Sequence, residues 1–173
     1  MAIALQKFSV TGTAGELEGL VHVPDDIPCG IAVVAHPLPT MGGTMENKVA
    51  VMLAKTFAEM GCVALRFNFR GVGASAGEFT GGYVAARAAQ QLQPQHLVLA
   101  APAVGRFAMP AVSPDTLVIH GEHDDVVPLA DALDWARPQH LPIVVLPQAE
   151  HFFHGRLTQL RDIVKRHFSG VEL

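Results

Sequence analysis

Charge and cysteine are scarce in this chain, and long apolar runs are missing. Only 16% of the residues are charged, and the 12 Lys and Arg are scattered, so the sequence offers no basic face for nucleic acid. Two cysteines, Cys29 and Cys62, are too few for a disulfide framework and read as buried free thiols of a reducing cytoplasm. No apolar run reaches the ~18 residues that a membrane span needs. The best candidate, residues 97–112, is broken by Arg106 and several prolines. The first residues, Met1 to Lys7, show no basic segment leading into a long apolar core, so no signal peptide is expected.

What is present is apolar and ordered. Half of the 173 residues are hydrophobic and the net charge is −4, as in a globular protein rather than a disordered one. The length fits one domain, residues 1–173, with a real core. Polar–apolar alternation over 5–11 and 16–23, around Gly12 and Gly15, predicts an antiparallel hairpin with one solvated face. Ile31 to Ala35 is continuously apolar and β-branched, as a strand buried on both faces should be.

Residues 45–60 predict a helix, with Met45, Val49, Met52, Leu53, Phe57 and Met60 on the apolar stripe, Thr44 as N-cap and Gly61 as C-cap. Residues 62–69 predict a strand. The Ala-rich stretch 82–92 predicts a helix that Ala85, Ala88 and Ala89 let lie close to a sheet. Strands follow at 96–100, 116–119 and 142–146, with helices at 129–136 and 155–168. This alternation predicts an α/β fold with a mostly parallel, doubly wound sheet.

Two segments carry chemistry. His120-Gly121-Glu122-His123-Asp124-Asp125 and Glu150-His151-Phe152-Phe153-His154 each follow a strand. An acid and then a histidine on successive post-strand loops suit a base whose tautomer and cation a buried carboxylate fixes. Asp124 and Asp125 compete for the acid; Asp124 stands four residues before Pro128, and Asp125 reads as surface. His151 is the expected base, and His154, at the mouth of the last helix, is the weaker candidate.

These segments join two others: His36-Pro37-Leu38-Pro39 followed by Gly42 to Val49, and Leu65 to Phe79 with its Phe69-Arg70-Gly71-Val72-Gly73 core. The set resembles the small, lidless bacterial α/β-hydrolases related to dienelactone hydrolase, over about residues 36–154. The resemblance implies a serine hydrolase of small carboxylic esters or thioesters, with the order nucleophile, acid, histidine. It implies Asp124 as acid, which its spacing to Pro128 favours, and His151 as base. It also implies the Leu38 N–H as an oxyanion donor, since the prolines on either side have no N–H. No metal or organic cofactor is implied. The implied partner is a small ester, with neither nucleic acid nor membrane, and the oligomeric state stays open.

The family also carries a helix, a strand and a Gly-Phe-Ser-Phe-Gly turn where Phe79-Thr80 here runs straight into Gly81-Gly82-Tyr83. We expect that segment, roughly 30–40 residues, to belong to the protein between about residues 79 and 82, with the nucleophilic serine just before Gly81. Ser75, in Gly73-Ala74-Ser75-Ala76-Gly77, is the alternative nucleophile. Against it, Arg70-Gly71-Val72 separates its motif from the strand, and no helical pattern starts at Ala76.

Three other readings remain open. Catalysis by Cys29 or Cys62 is disfavoured, because both precede their strands and ligands bind at the carboxyl ends. A metal held by His120, His123, Asp124, His151 and His154 matches no standard zinc spacing. A non-catalytic relative that lacks the nucleophile and binds a ligand or partner is the main alternative to an enzyme.

Overall fold

The computed structural model describes residues 2–78 and 84–171, which fall into two compact units: residues 2–78 with 168–171, and residues 84–167. The element types match the α/β alternation read from the sequence.

The first unit begins with a hairpin, β1 (Ile3–Gly12) against antiparallel β2 (Gly15–Pro24), followed by β3 (Gly30–Val34), α1 (Lys48–Glu59) and β4 (Cys62–Phe67). The strands order as β1-β2-β4-β3, with β3 parallel to β4. Among the described residues β3 is thus an edge strand. This overturns the expectation that it is buried on both faces: Ile31 is 76% exposed and Val33 63%, while Val34 is buried. Periodicity reports how apolar a strand is, not whether a neighbour covers it.

Helix α1 starts later than expected. Its N-cap is Asn47, whose side-chain oxygen accepts the Val49 N–H at 2.9 Å, and not Thr44. The Met45 backbone is drawn aside instead: its N–H donates to Asn68 Oδ1 at 2.8 Å and its carbonyl accepts from buried Arg66 at 2.8 Å. The C-cap is Met60, one residue before the predicted Gly61, which follows in the left-handed region at φ +94°. The buried face also differs from the predicted stripe: Val49, Met52, Leu53, Phe57 and Met60 are only half-buried, and the buried residues are Ala50, Ala54, Thr56 and Ala58. Ala50, Ala54 and Ala58, at i, i+4 and i+8, meet Val34 and Ala64, while Leu53 and Phe57 pack at the flanks. Small side chains let the helix backbone approach the sheet closely.

The second unit holds α2 (Val84–Leu92), β5 (Val98–Ala100), β6 (Leu117–Gly121), α3 (Leu129–Ala136), β7 (Ile143–Leu146) and α4 (Leu157–His167). The three strands are parallel in the order β5-β6-β7. Central β6 is buried along its whole length, as a strand between two others in a parallel sheet should be. Leu99 and Val118 pack with Ala136 of α3 and with Leu141. In α2 the buried alanine is Ala86, with Ala85, Ala88 and Ala89 only half-buried. Among the described residues no helix is long and apolar enough to cross a membrane.

Candidate active site

Strand β6 delivers Asp124, the candidate acid. Just past its end the chain turns, and the turn is tied to the loop after β7. The Glu122 N–H donates to Leu146 O at 3.0 Å and the His123 N–H to Ala149 O at 2.9 Å. Gly121 makes this approach possible, because a Cβ there would run into Ala149 O. Two loops that are distant in sequence are thereby held side by side.

Asp124 lies in this turn, 6% exposed. Its Oδ1 accepts the Val126 N–H at 3.0 Å and the Val127 N–H at 2.7 Å, which fixes the carboxylate plane. Its Oδ2 is then aimed at His151, whose Nδ1 lies 2.8 Å away. An ionised carboxylate can only accept, so Nδ1 carries a proton toward it, and in the neutral ring the lone pair is the one on Nε2. Burial pushes the Asp124 carboxyl up, but the hydrogen bonds from His151 and the Val127 N–H, with the nearby histidines, outweigh it and hold the carboxyl below its usual value of 3.8. Asp124 is therefore an anion at neutral pH, beside an imidazole that is only partly covered. Asp125, the rival, is exposed.

The histidine loop is braced as firmly. The Glu150 carboxylate accepts from the backbone N–H of His154 at 2.7 Å and from that of Phe152 at 3.4 Å. His154 Nδ1 is 2.7 Å from the same carboxylate, so this exposed histidine is spent on Glu150 and not on Asp124. Phe153 is 1% exposed and sits at φ +53°, strained for a bulky side chain. Its burial anchors the turn that presents His151. The Phe152 ring meets the His151 ring edge-on at 5.0 Å.

Sequence reasoning gives His120 only a possible metal role. It is fully buried, and its Nε2 reaches Val127 O at 2.9 Å and Asp124 Oδ2 at 3.5 Å. It therefore packs its ring nitrogen against the Asp124 carboxylate and the Val127 carbonyl. Its place at the end of an apolar strand is the one available signal. No group of three or more His, Cys, Asp or Glu able to hold a metal ion occurs among the described residues. A cleft of about 300 Å³ beside α2, bordered by residues 111–113 and 115, includes none of Asp124, His151 or His120.

The first unit carries the remaining candidates. His36 follows β3 and is buried. Its Nδ1 lies 2.6 Å from Pro37 O, its Nε2 accepts the Phe69 N–H at 3.1 Å, and its ring stacks on Phe69 at 3.9 Å. Burial lowers its pKa, against the raising effect of the Pro37 carbonyl, so the ring is a neutral structural brace. The brace holds the next turn, in which Leu38 O accepts from the Met41 N–H at 3.0 Å and the Gly43 N–H at 3.1 Å. The Leu38 N–H itself donates to no group among the described residues.

Ser75 is committed elsewhere. Its hydroxyl donates to Asn68 O at 2.9 Å and accepts the Glu18 N–H at 3.1 Å, stitching the glycine-rich loop to β2. The segment expected to hold the nucleophile, just before Gly81 between residues 79 and 82, lies outside the described residues.

An acid and a histidine hydrogen-bonded across successive loops of a parallel sheet, in that chain order, define an α/β-hydrolase scaffold. A lidless α/β serine hydrolase from Xanthomonas campestris is 32% identical to this chain, covers 95% of it with 94% of its own length, and superposes with a TM-score of 0.89. The chain belongs to the α/β serine hydrolase family. A dienelactone hydrolase from Anabaena variabilis has the same fold, with a TM-score of 0.66 at 16% identity over 97% of this chain and 98% of its own. An uncharacterized protein of Rickettsia prowazekii is 29% identical over 217 residues, 97% of this chain and 90% of its own length. That aligned stretch is longer than this whole chain, so the relative carries interior residues with no counterpart here. No family model matches the chain.

Proposed function

We propose that this protein hydrolyses small carboxylic esters or thioesters through an acyl-enzyme. The observation that carries the reading is the 2.8 Å contact between His151 Nδ1 and a buried Asp124 whose other oxygen is fixed by two backbone N–H groups. That arrangement leaves Nε2 of His151 as the base. It takes the proton of a serine hydroxyl as the oxygen attacks the carbonyl carbon, and returns it to the leaving alcohol or thiol. Water then repeats the cycle on the acyl-enzyme. Asp124 stabilises the imidazolium without itself being protonated. The Leu38 N–H and the N–H following the serine hold the oxyanion.

The serine belongs to the segment expected just before Gly81, and the interior residues that the Rickettsia relative carries beyond this chain support such a segment. The lidless likeness and the short 101–115 connection favour an open cleft and small soluble acyl groups. The test is turnover of p-nitrophenyl acetate, with His151→Ala expected to abolish it and exhaustive chelation expected to leave it intact.

A second reading, a non-catalytic binder of a ligand or partner, is favoured by one observation: the hydroxyl of Ser75 is spent on two backbone groups. Turnover lost in His151→Ala rules that reading out. A purified chain with no turnover and an intact mass of 18.4 kDa establishes it.

A further inference from the structure

The sequence alone reads Cys29 and Cys62 as two buried thiols. Cys62 is buried, but Cys29 is exposed, and their sulfurs are 3.9 Å apart. The contact follows from the sheet. Cys29 immediately precedes β3 and Cys62 opens β4, with Gly30 opposite Cys62 in the parallel register. The Cys29 N–H donates to Gly61 O at 3.0 Å, which holds the two chain segments together at this point. The Cys29 thiol also points at Met60 O, 3.5 Å away. Gly61 keeps the space for that thiol, since a Cβ there would sit only 3.2 Å from Cys29 Sγ. The sulfurs stand 3.9 Å apart, and the exposed Cys29 side chain is the partner with room to turn toward the roughly 2 Å of a disulfide bond.

We propose that Cys29 and Cys62 form a thiol–disulfide modification site, oxidised by hydrogen peroxide to an intrachain bridge and restored by dithiols. In the first step the Cys29 sulfur attacks one peroxide oxygen. The O–O bond breaks, an S–O bond forms, and the departing hydroxide leaves as water with the thiol proton. In the second step the Cys62 sulfur attacks the Cys29 sulfenic acid. The S–S bond forms, the S–O bond breaks, and the hydroxyl leaves as water with the proton of Cys62. Two thiols give up two electrons, and one peroxide becomes two waters. Burial, with the neighbouring Cys29 thiol, pushes Cys62 up to about 11, so it resolves the bridge rather than starting it. The bridge closes the loop that contains β3, the 36–43 turn and α1, and so braces the strand that leads into Leu38.

The experiment is a hydrogen peroxide titration of the full chain, read by thiol count under denaturing conditions, intact mass and a non-reducing peptide map. The expected result is loss of both thiols, a mass lower by two hydrogens, a 29–62 cross-linked peptide, an upward shift of several degrees in the thermal midpoint, and full reversal by dithiothreitol. Cys62→Ser should instead accumulate a sulfenic acid at Cys29 that dimedone traps. Two thiols remaining after oxidation would overturn the proposal. So would a disulfide-linked dimer through Cys29 in place of the internal bridge. Both of these outcomes are read on the wild-type chain, so they decide the matter even if the variant fails to fold.

Discussion

Asp124 is held from both sides, with two backbone donors on one oxygen and two histidines near the other. Asp124→Asn keeps the size and loses the charge. An amide can present its NH₂ to His151 Nδ1 and so favour the tautomer that protonates Nε2, the wrong one for a base. We predict a fall in kcat of roughly 10³–10⁴-fold on p-nitrophenyl acetate, with an unchanged circular dichroism spectrum. A loss below tenfold would remove Asp124 from the mechanism. This residue and His151 are legible in the sequence because each follows an apolar strand directly, and the strand fixes where the next few residues go. The roles of His120 and Glu150 are not legible, because they depend on loops folding back: His120 on the Val127 carbonyl, Glu150 on its own following turn. The exposure of Cys29 is hidden for a similar reason, since its type says buried while its place before an edge strand leaves it outside.

Among the elements, the turn after β3 offers the sharpest test. Leu38 has φ −54° and ψ 120°, values that proline adopts and that a residue preceding Pro39 prefers. Leu38→Pro therefore removes one backbone N–H at little conformational cost. We predict a kcat lower by about 10²–10³-fold from loss of an oxyanion donor, with the thermal midpoint little changed. Equal turnover would mean that the 36–39 turn only braces the sheet. Helix and strand types are readable throughout, because hydrophobic period and length agree in each segment. Their limits and faces are less so. The start of α1 is moved by the grip of Asn68 and Arg66 on Met45, and its buried face is set by how closely Ala50, Ala54 and Ala58 approach the sheet. That β3 has a strand neighbour on one side alone among the described residues is invisible in the sequence, because no local pattern states which strands pair.

For the whole molecule, proton linkage gives a signed prediction. His22 and His36 are lowered from 6.5 chiefly by burial, and for His22 also by the charge of Arg66. The unfolded chain therefore takes up protons as pH falls through 6.5 while the folded chain resists, so stability declines from there downward. Asp124 is held below 3.8 and Glu150 below 4.5, burial being outweighed by hydrogen bonds in both. Their contribution is present above those values and is lost as pH falls through the lower folded ones. The urea midpoint should be highest above about pH 7, lower at about pH 5.5 and lower again near pH 3. A midpoint unchanged between the first two would contradict the burial of these histidines as neutral rings.

The family and its fold are legible because several spaced motifs agree along most of the chain. The nucleophile is not, because a charge-relay pair points to a serine without supplying one. The most direct measurement is the intact mass of the purified protein before and after reaction with a fluorophosphonate, followed by mapping of the labelled peptide. The account predicts a protein about 4 kDa heavier than 18.4 kDa, carrying one adduct per chain on a serine just before Gly81 and none in His151→Ala. A mass of 18.4 kDa with no adduct, or an adduct on Ser75, would contradict it.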